Sequence, residues 1–157
     1  MKLNYFFYTV LGLLVFASCG ESYFYETTQT IPGGVWMYRD TLNYRFEIAD
    51  TSARYNLYVA FAHADTFPHQ NLYLRLKTQF PDGRRVSDVK SFDLFSGSGT
   101  PNGDCSGGKC QVQLNLKQKT RFPQPGQYTL TLEQYMRRDS IRGVESVGLA
   151  IEKIKKI

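Results

Sequence analysis

Of the three cysteines in this chain, which carry its most reactive side chains, the first lies in a processing motif. Cys19 follows the small residues Ala17 and Ser18, and a short basic start at Lys2 with an apolar run over residues 5–17 precedes them. The run of about 13 residues is shorter than the roughly 20 that span a bilayer, which is typical of a cleaved signal peptide. We therefore predict a lipobox, in which residues 1–18 are removed and Cys19 carries the lipid.

The alternative is an ordinary signal peptide in which Cys19 is incidental, because Phe16 stands where a lipobox usually has leucine. If the lipobox is used, acyl chains at about 0.8 kcal/mol per buried methylene hold the protein stably on a bilayer. Gly20 follows the cysteine, so the aspartate that retains lipoproteins at the inner membrane of enteric bacteria is absent. This favours the outer membrane, with its periplasmic face and the cell surface both open.

Cys105 and Cys110 remain, and they flank Ser106-Gly107-Gly108-Lys109. An even pair in an exported chain favours a disulfide, and the two glycines allow the tight reversal that it needs. A zinc site is the alternative role for the two cysteines. Two cysteines make only half of a structural site, however, and both histidines, His63 and His69, are distant in sequence. We predict the disulfide and neither a metal nor a cofactor.

The sequence contains no recognisable set of catalytic residues. Neither histidine lies in a nucleophile motif, where a serine or cysteine needs a base that a third group orients. Several aspartates, Asp50 and Asp93 among them, lie near predicted strand ends, where aspartates usually cap turns. The sequence predicts no catalytic residue and a protein that is not an enzyme.

Composition excludes nucleic acid as a partner. Removing residues 1–18 takes away one basic residue, so the formal charge falls from +5 to about +4, and the basic residues are scattered rather than arranged in a stripe. The 11 Tyr, 11 Phe and one Trp favour strands, because aromatic side chains fit a pleated, half-buried surface.

Alternation of apolar and polar residues predicts about eight short strands and no long helix. The strands begin near residues 35, 44, 55, 72, 86, 112, 128 and 147, with turn signals such as Pro81-Asp82-Gly83 between them. This pattern indicates an all-β, antiparallel β-sandwich, with a jelly roll as one topology. We assign residues 1–18 to the lipoprotein signal peptide, 19–34 to a lipidated tether that could be partly docked, and 35–157 to the β-sandwich domain.

Three tyrosines suggest a second function, the binding of carbohydrate. Tyr38, Tyr58 and Tyr73 could face outward and stack on sugar rings, as in carbohydrate-binding modules, although tyrosines also commonly cover sheet faces. The single tryptophan, Trp36, lies on a short strand and is expected in the core.

The C-terminal third carries a run that resembles the gliding motility lipoprotein GldH family of Bacteroidota. The resemblance spans about residues 35–153 and rests on several pieces in order rather than on a catalytic signature. They are Asp50, Tyr55-Asn56-Leu57-Tyr58, Asn71-Leu72-Tyr73-Leu74, Phe80-Pro81-Asp82-Gly83, Gly126-Gln127-Tyr128-Thr129-Leu130-Thr131-Leu132-Glu133-Gln134-Tyr135-Met136-Arg137, Asp139, Ile141-Arg142-Gly143-Val144 and Val147-Gly148-Leu149-Ala150-Ile151-Glu152-Lys153.

The resemblance implies an outer-membrane lipoprotein of the machinery associated with gliding and with type IX secretion. On this basis we predict a noncatalytic domain that docks another envelope protein while its lipid holds it at the membrane. The alternative is a surface or periplasmic β-sandwich lipoprotein that binds carbohydrate.

For the contact surface, the segment after the strand that holds Tyr128 is the candidate. An adaptable thioether next to guanidinium groups suits interface cores, and the predicted residues are Met136, Arg137, Arg138, Asp139 and Arg142. A purely structural corner remains the alternative, in which Arg137 pairs with Asp139 or a neighbouring carboxylate and Met136 fills a gap.

Overall fold

The computed structural model describes residues 23–154, so Cys19 and the signal peptide lie outside the described residues. All strand pairings in this part are antiparallel. The strands are β1 (Tyr25–Thr30), β2 (Val35–Met37), β3 (Leu42–Ile48), β4 (Arg54–Ala64), β5 (Asn71–Gln79), β6 (Arg85–Asp93), β7 (Asp104–Ser106), β8 (Lys109–Thr120), β9 (Gly126–Gln134), β10 (Ser140–Arg142) and β11 (Val144–Ile154). A 3₁₀ turn at Pro32–Gly34 separates β1 from β2, and these residues include no helix that could cross a membrane.

Two large sheets face each other. One has the order β1-β11-β4-β8-β7, the other has the order β3-β9-β5-β6, and β10 pairs with β2 in a small third sheet. The eight strands of six residues or more wind between the two large sheets in the order of a jelly roll. The predicted all-β, antiparallel β-sandwich is confirmed.

The sandwich forms because its strands alternate strictly. In β3, Leu42, Tyr44, Phe46 and Ile48 are buried, while the residues between them are exposed. At one end of the core an aromatic cluster joins the sheets: Phe46 and Tyr128 of one sheet stack with centroids 5.9 Å apart, and Phe122 lies 4.8 Å from Tyr128 and 5.3 Å from Tyr55 of the other sheet. Aromatic pairs at such distances add to the stabilisation that their burial gives.

A hydrogen bond also crosses between the sheets. The fully buried Tyr44 of β3 donates its hydroxyl hydrogen to the carbonyl oxygen of Val147 on β11, at 2.7 Å. Burial, followed by the nearby Tyr25, raises the pKa of Tyr44 well above its usual value, so the hydroxyl stays protonated. Trp36 is fully buried as expected, and its indole N–H donates to the carbonyl of Asp40 at 3.0 Å.

The described part of the chain has eleven strands rather than about eight. Strands β7 and β10 contain three residues each, which is too short for a period of two to be read. Strand β1 was missed because its sequence, Tyr-Glu-Thr-Thr-Gln-Thr, has hardly any apolar inner face.

Strand β1 also corrects the domain boundary. It pairs with β11 along its whole length, from Tyr25 opposite Ile151 to Thr30 opposite Ser146. Residues 25–30, which the sequence assigned to the tether, therefore belong to the sheet, and the folded body begins earlier than residue 35. The partial docking left open for the tether is in fact regular strand pairing.

The predicted disulfide is present. Cys105 and Cys110 are joined, with their Cα atoms 4.0 Å apart, and they face each other across the β7–β8 hairpin. The two-residue turn consists of Gly107 and Gly108, with φ of 60° and 81°, values that glycine adopts without a steric penalty. With both sulfur atoms bonded to each other, the rival zinc site has no cysteine ligands.

We expect the Tyr44→Phe variant to lower the free energy of unfolding by about 1 kcal/mol, because it removes a buried hydrogen bond and little apolar contact. Urea denaturation of the variant measures this change. The matched control is Tyr73→Phe, in which the altered ring is 44% exposed and the change should stay within about 0.5 kcal/mol. Equal stability of the Tyr44→Phe variant and the unmodified protein would refute the role of this bond.

Candidate functional site

The segment after β9 forms a tight, exposed corner of the molecule. Arg137, Arg138 and Asp139 are exposed, whereas Met136 is partly buried against the core. Arg137 has a φ of 56°, a left-handed conformation that few non-glycine residues adopt. The turn thus directs two neighbouring guanidinium groups away from the body.

A buried side-chain amide is the main support of this corner. Gln134, the last residue of β9, is fully buried. Its side-chain oxygen accepts a hydrogen bond from the backbone N–H of Met136 at 3.0 Å, and its side-chain nitrogen donates to the carbonyl of Arg138 at 2.9 Å. The backbone N–H of Tyr38 donates to the carbonyl of Asp139 at 2.8 Å, which ties the corner to the end of β2. The corner is therefore a rigid part of the fold.

An arginine between two tyrosines adjoins the corner. The guanidinium carbon of Arg75, on β5, lies 4.1 Å from the ring centre of Tyr135, and an Arg75 nitrogen donates to the Tyr38 hydroxyl at 3.4 Å. Another Arg75 nitrogen lies 3.3 Å from a carboxylate oxygen of Glu133, which also pairs with Lys77. Tyr135, and after it Tyr38, raise the pKa of Arg75 above its usual value, so this group stays charged.

We call Tyr38, Arg75, Tyr135, Arg137 and Arg138 the arginine–tyrosine patch. A shallow hollow of about 270 Å³ lies among Tyr38, Tyr135, Arg137, Arg138 and Asp139. The sequence identified the two corner arginines but missed Arg75 and Tyr135, which adjoin them. Arg75 had one sequence signal, the alternation in β5 that sets it on the face away from the buried leucines. Nothing in the sequence pointed to a contact by Tyr135.

The five predicted contact residues do not all lie on one surface. Met136 fills a gap, as the structural alternative held, and its sulfur accepts the backbone N–H of Tyr73 at 3.2 Å. Among the ion pairs of residues 23–154, none involves Arg137 or Asp139, so the other half of that alternative is wrong. Arg142 is exposed on β10 opposite Val35 and does not line the hollow.

The charge of the corner also affects a histidine. Burial, and after it the positive charge of Arg138, lowers the pKa of His69, so its ring is neutral at pH 7. His63 is buried beside the rings of Phe61 and Phe67, with its Nδ1 atom 2.7 Å from the carbonyl oxygen of Ala64. Within residues 23–154, no three His, Cys, Asp or Glu side chains gather where a metal ion could be held.

The three tyrosines considered for sugar binding do not share a face. Tyr38 belongs to the patch and Tyr73 adjoins it, because the backbone N–H of Tyr135 donates to the Tyr73 carbonyl. Tyr58 lies on the other sheet, where its hydroxyl donates to Glu152 at 3.1 Å and its ring contacts Tyr23.

A largely apolar cleft of the described residues lies between the two large sheets, and the aromatic cluster of Phe46, Phe122 and Tyr128 lines part of it. It has a volume of about 340 Å³, and Phe46, Leu76, Leu116 and Phe122 line its floor, with basic residues such as Arg84 and Arg121 at its rim. These floor residues belong to the hydrophobic core.

Comparison with known proteins assigns the chain to a family. The sequence profile of the GldH lipoprotein matches residues 23–151, which is most of the chain. The chain belongs to the GldH lipoprotein family. The resemblance found in the C-terminal third is thereby confirmed, and membership makes the chain a lipid-anchored lipoprotein of the cell envelope.

Two relatives match nearly end to end. The gliding motility lipoprotein GldH homolog of Christiangramia forsetii is 24% identical over 154 residues, covering 94% of each chain. The gliding motility lipoprotein GldH of Flavobacterium johnsoniae is 21% identical over 150 residues, covering 91% of this chain and 92% of its own.

Among solved structures, a non-crystalline cellulose specific carbohydrate-binding module is 10% identical, with a TM-score of 0.44, covering 83% of this chain and 73% of its own. That last likeness is too distant to inform function.

We expect Gln134→Leu to loosen the corner, because two backbone groups lose their buried partner at about 1–3 kcal/mol each. Hydrogen exchange should accelerate at the Met136 amide while the amides of β4 keep their protection. The matched control is Gln127→Leu, at an exposed position on the same strand. Unchanged exchange at Met136 would show that Gln134 does not hold the corner.

Proposed function

We propose that the domain is a noncatalytic docking module of the outer-membrane machinery associated with gliding motility and type IX secretion. In this proposal it binds another envelope protein through the arginine–tyrosine patch. The observation that carries the proposal is the exposure of Arg137 and Arg138 outside any ion pair of residues 23–154, beside Tyr38 and Tyr135.

The composition of the patch suits protein recognition. Tyrosine and arginine are enriched at interface cores and at the few residues that contribute most binding energy. Arg75 is held by Glu133 and by two rings, so its charge is largely compensated within the domain. No ion pair of residues 23–154 compensates Arg137, Arg138 or Asp139, and the net positive charge of these three calls for acidic groups on the partner.

Rigidity favours the same proposal. Ordering a loop on binding costs free energy, and a loop that is already fixed avoids that cost. Gln134 fixes the backbone of this corner in the unbound domain. Anchoring by lipid adds a second contribution, because confinement raises the effective concentration of any partner in the same membrane.

The surroundings of the two histidines support the proposal that the domain is noncatalytic. His63 is enclosed by aromatic rings and bonded to a backbone carbonyl, and His69 is kept neutral beside Arg138. Neither is placed between a nucleophile and an orienting carboxylate among the described hydrogen bonds, which is the arrangement that acyl transfer needs.

The test is charge reversal. We expect the double variant Arg137→Glu and Arg138→Glu to reduce crosslinking to the envelope partner about tenfold, because an acidic surface on the partner would then be repelled. The measurement is crosslinking in intact envelopes followed by mass spectrometry. Arg142→Glu is the matched control, since it reverses an exposed charge away from the hollow. A folded double variant that crosslinks as the unmodified protein does would refute the patch.

Carbohydrate binding is a second candidate, favoured by the 43% and 44% exposure of Tyr38 and Tyr73 on and beside the patch. It predicts that the purified lipoprotein binds isolated envelope polysaccharide and that Tyr38→Ala weakens this binding at least tenfold. Tyr58→Ala, on the opposite sheet, is the control. No affinity for any polysaccharide on a glycan array would dismiss this candidate.

A further inference from the structure

Strand β6 is the outermost strand of the four-stranded sheet and pairs with β5 on one side only. At nine residues it is a long edge strand, and two of its valines, Val86 and Val89, are 43% and 45% exposed. They are two of the five large hydrophobic side chains that are exposed in the described part of the chain. An open edge of this kind offers unpaired backbone groups to another strand, and its charged residues Asp88 and Lys90 restrict pairing to strands that complement them.

The backbone groups that face this open edge can be identified. In β5, the carbonyl of Tyr73 accepts a hydrogen bond from Tyr135, so the backbone of Tyr73 faces β9 rather than β6. Ser91 is opposite Tyr73, and its backbone groups therefore face outward. By the same alternation, the backbone groups of Ser87 and Val89 also face outward. In agreement, the N–H of Val89 donates to the side chain of its neighbour Asp88, at 2.9 Å, and not to β5.

The sequence of β6 is complementary to itself. When a second copy runs antiparallel and centred on Val89, each Asp88 lies opposite Lys90, Val86 lies opposite Phe92, and Ser87 lies opposite Ser91. Val89 meets its own counterpart on the twofold axis. Opposite charges and apolar pairs placed directly across two strands stabilise antiparallel pairing.

Charge also selects this register over its neighbours. Centring the pair on Asp88 would place two carboxylates opposite each other, and centring it on Lys90 would oppose two ammonium groups. Like charges directly opposite are destabilising. Within residues 23–154, neither Asp88 nor Lys90 takes part in an ion pair of its own molecule.

We propose that β6 pairs with β6 of a second copy of this chain, which joins the two four-stranded sheets into one sheet of eight strands about a twofold axis. The ladder extends from Ser87 to Ser91, because the carbonyl of Asp93 already accepts a hydrogen bond from Asn102. On pairing, the N–H of Val89 exchanges its bond to Asp88 for one to the carbonyl of Val89 in the second copy, which frees Asp88 to pair with Lys90. A C2 contact of this kind is closed and does not propagate into a fibre. The interface is small, so membrane anchoring, which confines the copies to one surface, promotes it.

The dimer is independent of the proposed docking function. The arginine–tyrosine patch lies beside β5, β9 and the β9–β10 corner, and none of its members is on β6. Dimerisation leaves both patches exposed and places them on the same face of the joined sheet.

Cysteine crosslinking of the full-length lipoprotein in its membranes tests the register. In the Val89→Cys variant the two new thiols lie across the axis with Cα atoms about 5.5 Å apart, within reach of a disulfide. Ser87→Cys is the matched control on the same face, because its own counterpart is four residues away along the ladder, or about 13 Å. With diamide as oxidant, we expect a covalent dimer for Val89→Cys and at least tenfold less for Ser87→Cys. Equal crosslinking at both positions would overturn the proposal.

Charge exchange tests the pairing itself in the Val89→Cys background. Asp88→Lys places like charges opposite each other and should reduce the covalent dimer about tenfold. Adding Lys90→Asp restores the opposite-charge pairs and should restore the dimer. Both positions are at the surface, and circular dichroism confirms that each variant folds. A dimer yield that Asp88→Lys leaves unchanged, or that the second substitution fails to restore, would refute self-pairing.

Discussion

The structure depends on the burial of two strand faces against each other. Each long strand has a period of two, so half of its side chains must leave water and the other half must remain in it. The aromatic cluster of Phe46, Phe122 and Tyr128 closes one end of this buried layer, and the bond from Tyr44 to Val147 crosses it. Because most inner-face side chains pack against one another in this way, the exposed charged and aromatic side chains lie on the outer faces, the edges and the corners.

The same constraint explains why the arginine–tyrosine patch is well defined. Arg75 and Glu133 are outward residues of neighbouring strands and lie directly opposite each other in the β5–β9 register. That register is set by the buried leucines on the other face, since a shift by one residue would turn them outward. The packing of the core thus fixes an ion pair on the surface, and Gln134 extends this order into the corner.

Local features of this protein were predictable from its sequence. The alternation in β3 and β5 and the closely spaced cysteines of the β7–β8 hairpin each depend on residues near one another in the chain. What was missed depends on distant pairings: β1 is a strand only because β11 offers it an edge, and Tyr135 meets Arg75 only through the β5–β9 register. The corner was found from composition, but the buried role of Met136 needed the packed core to be seen.

The early start of the sheet limits how far the domain can stand from the bilayer. The backbone N–H of Phe24 already donates to the carbonyl of Ile151 at 2.7 Å. Only residues 20–23 therefore separate Phe24 from Cys19, the predicted site of the lipid, and the five steps of chain from Cys19 to Phe24 span at most about 18 Å when fully extended. If Cys19 bears the lipid, a connection this short keeps the domain close to the headgroups and at a nearly constant height above the membrane. Any protein that engages it must approach within one domain diameter of the lipid surface.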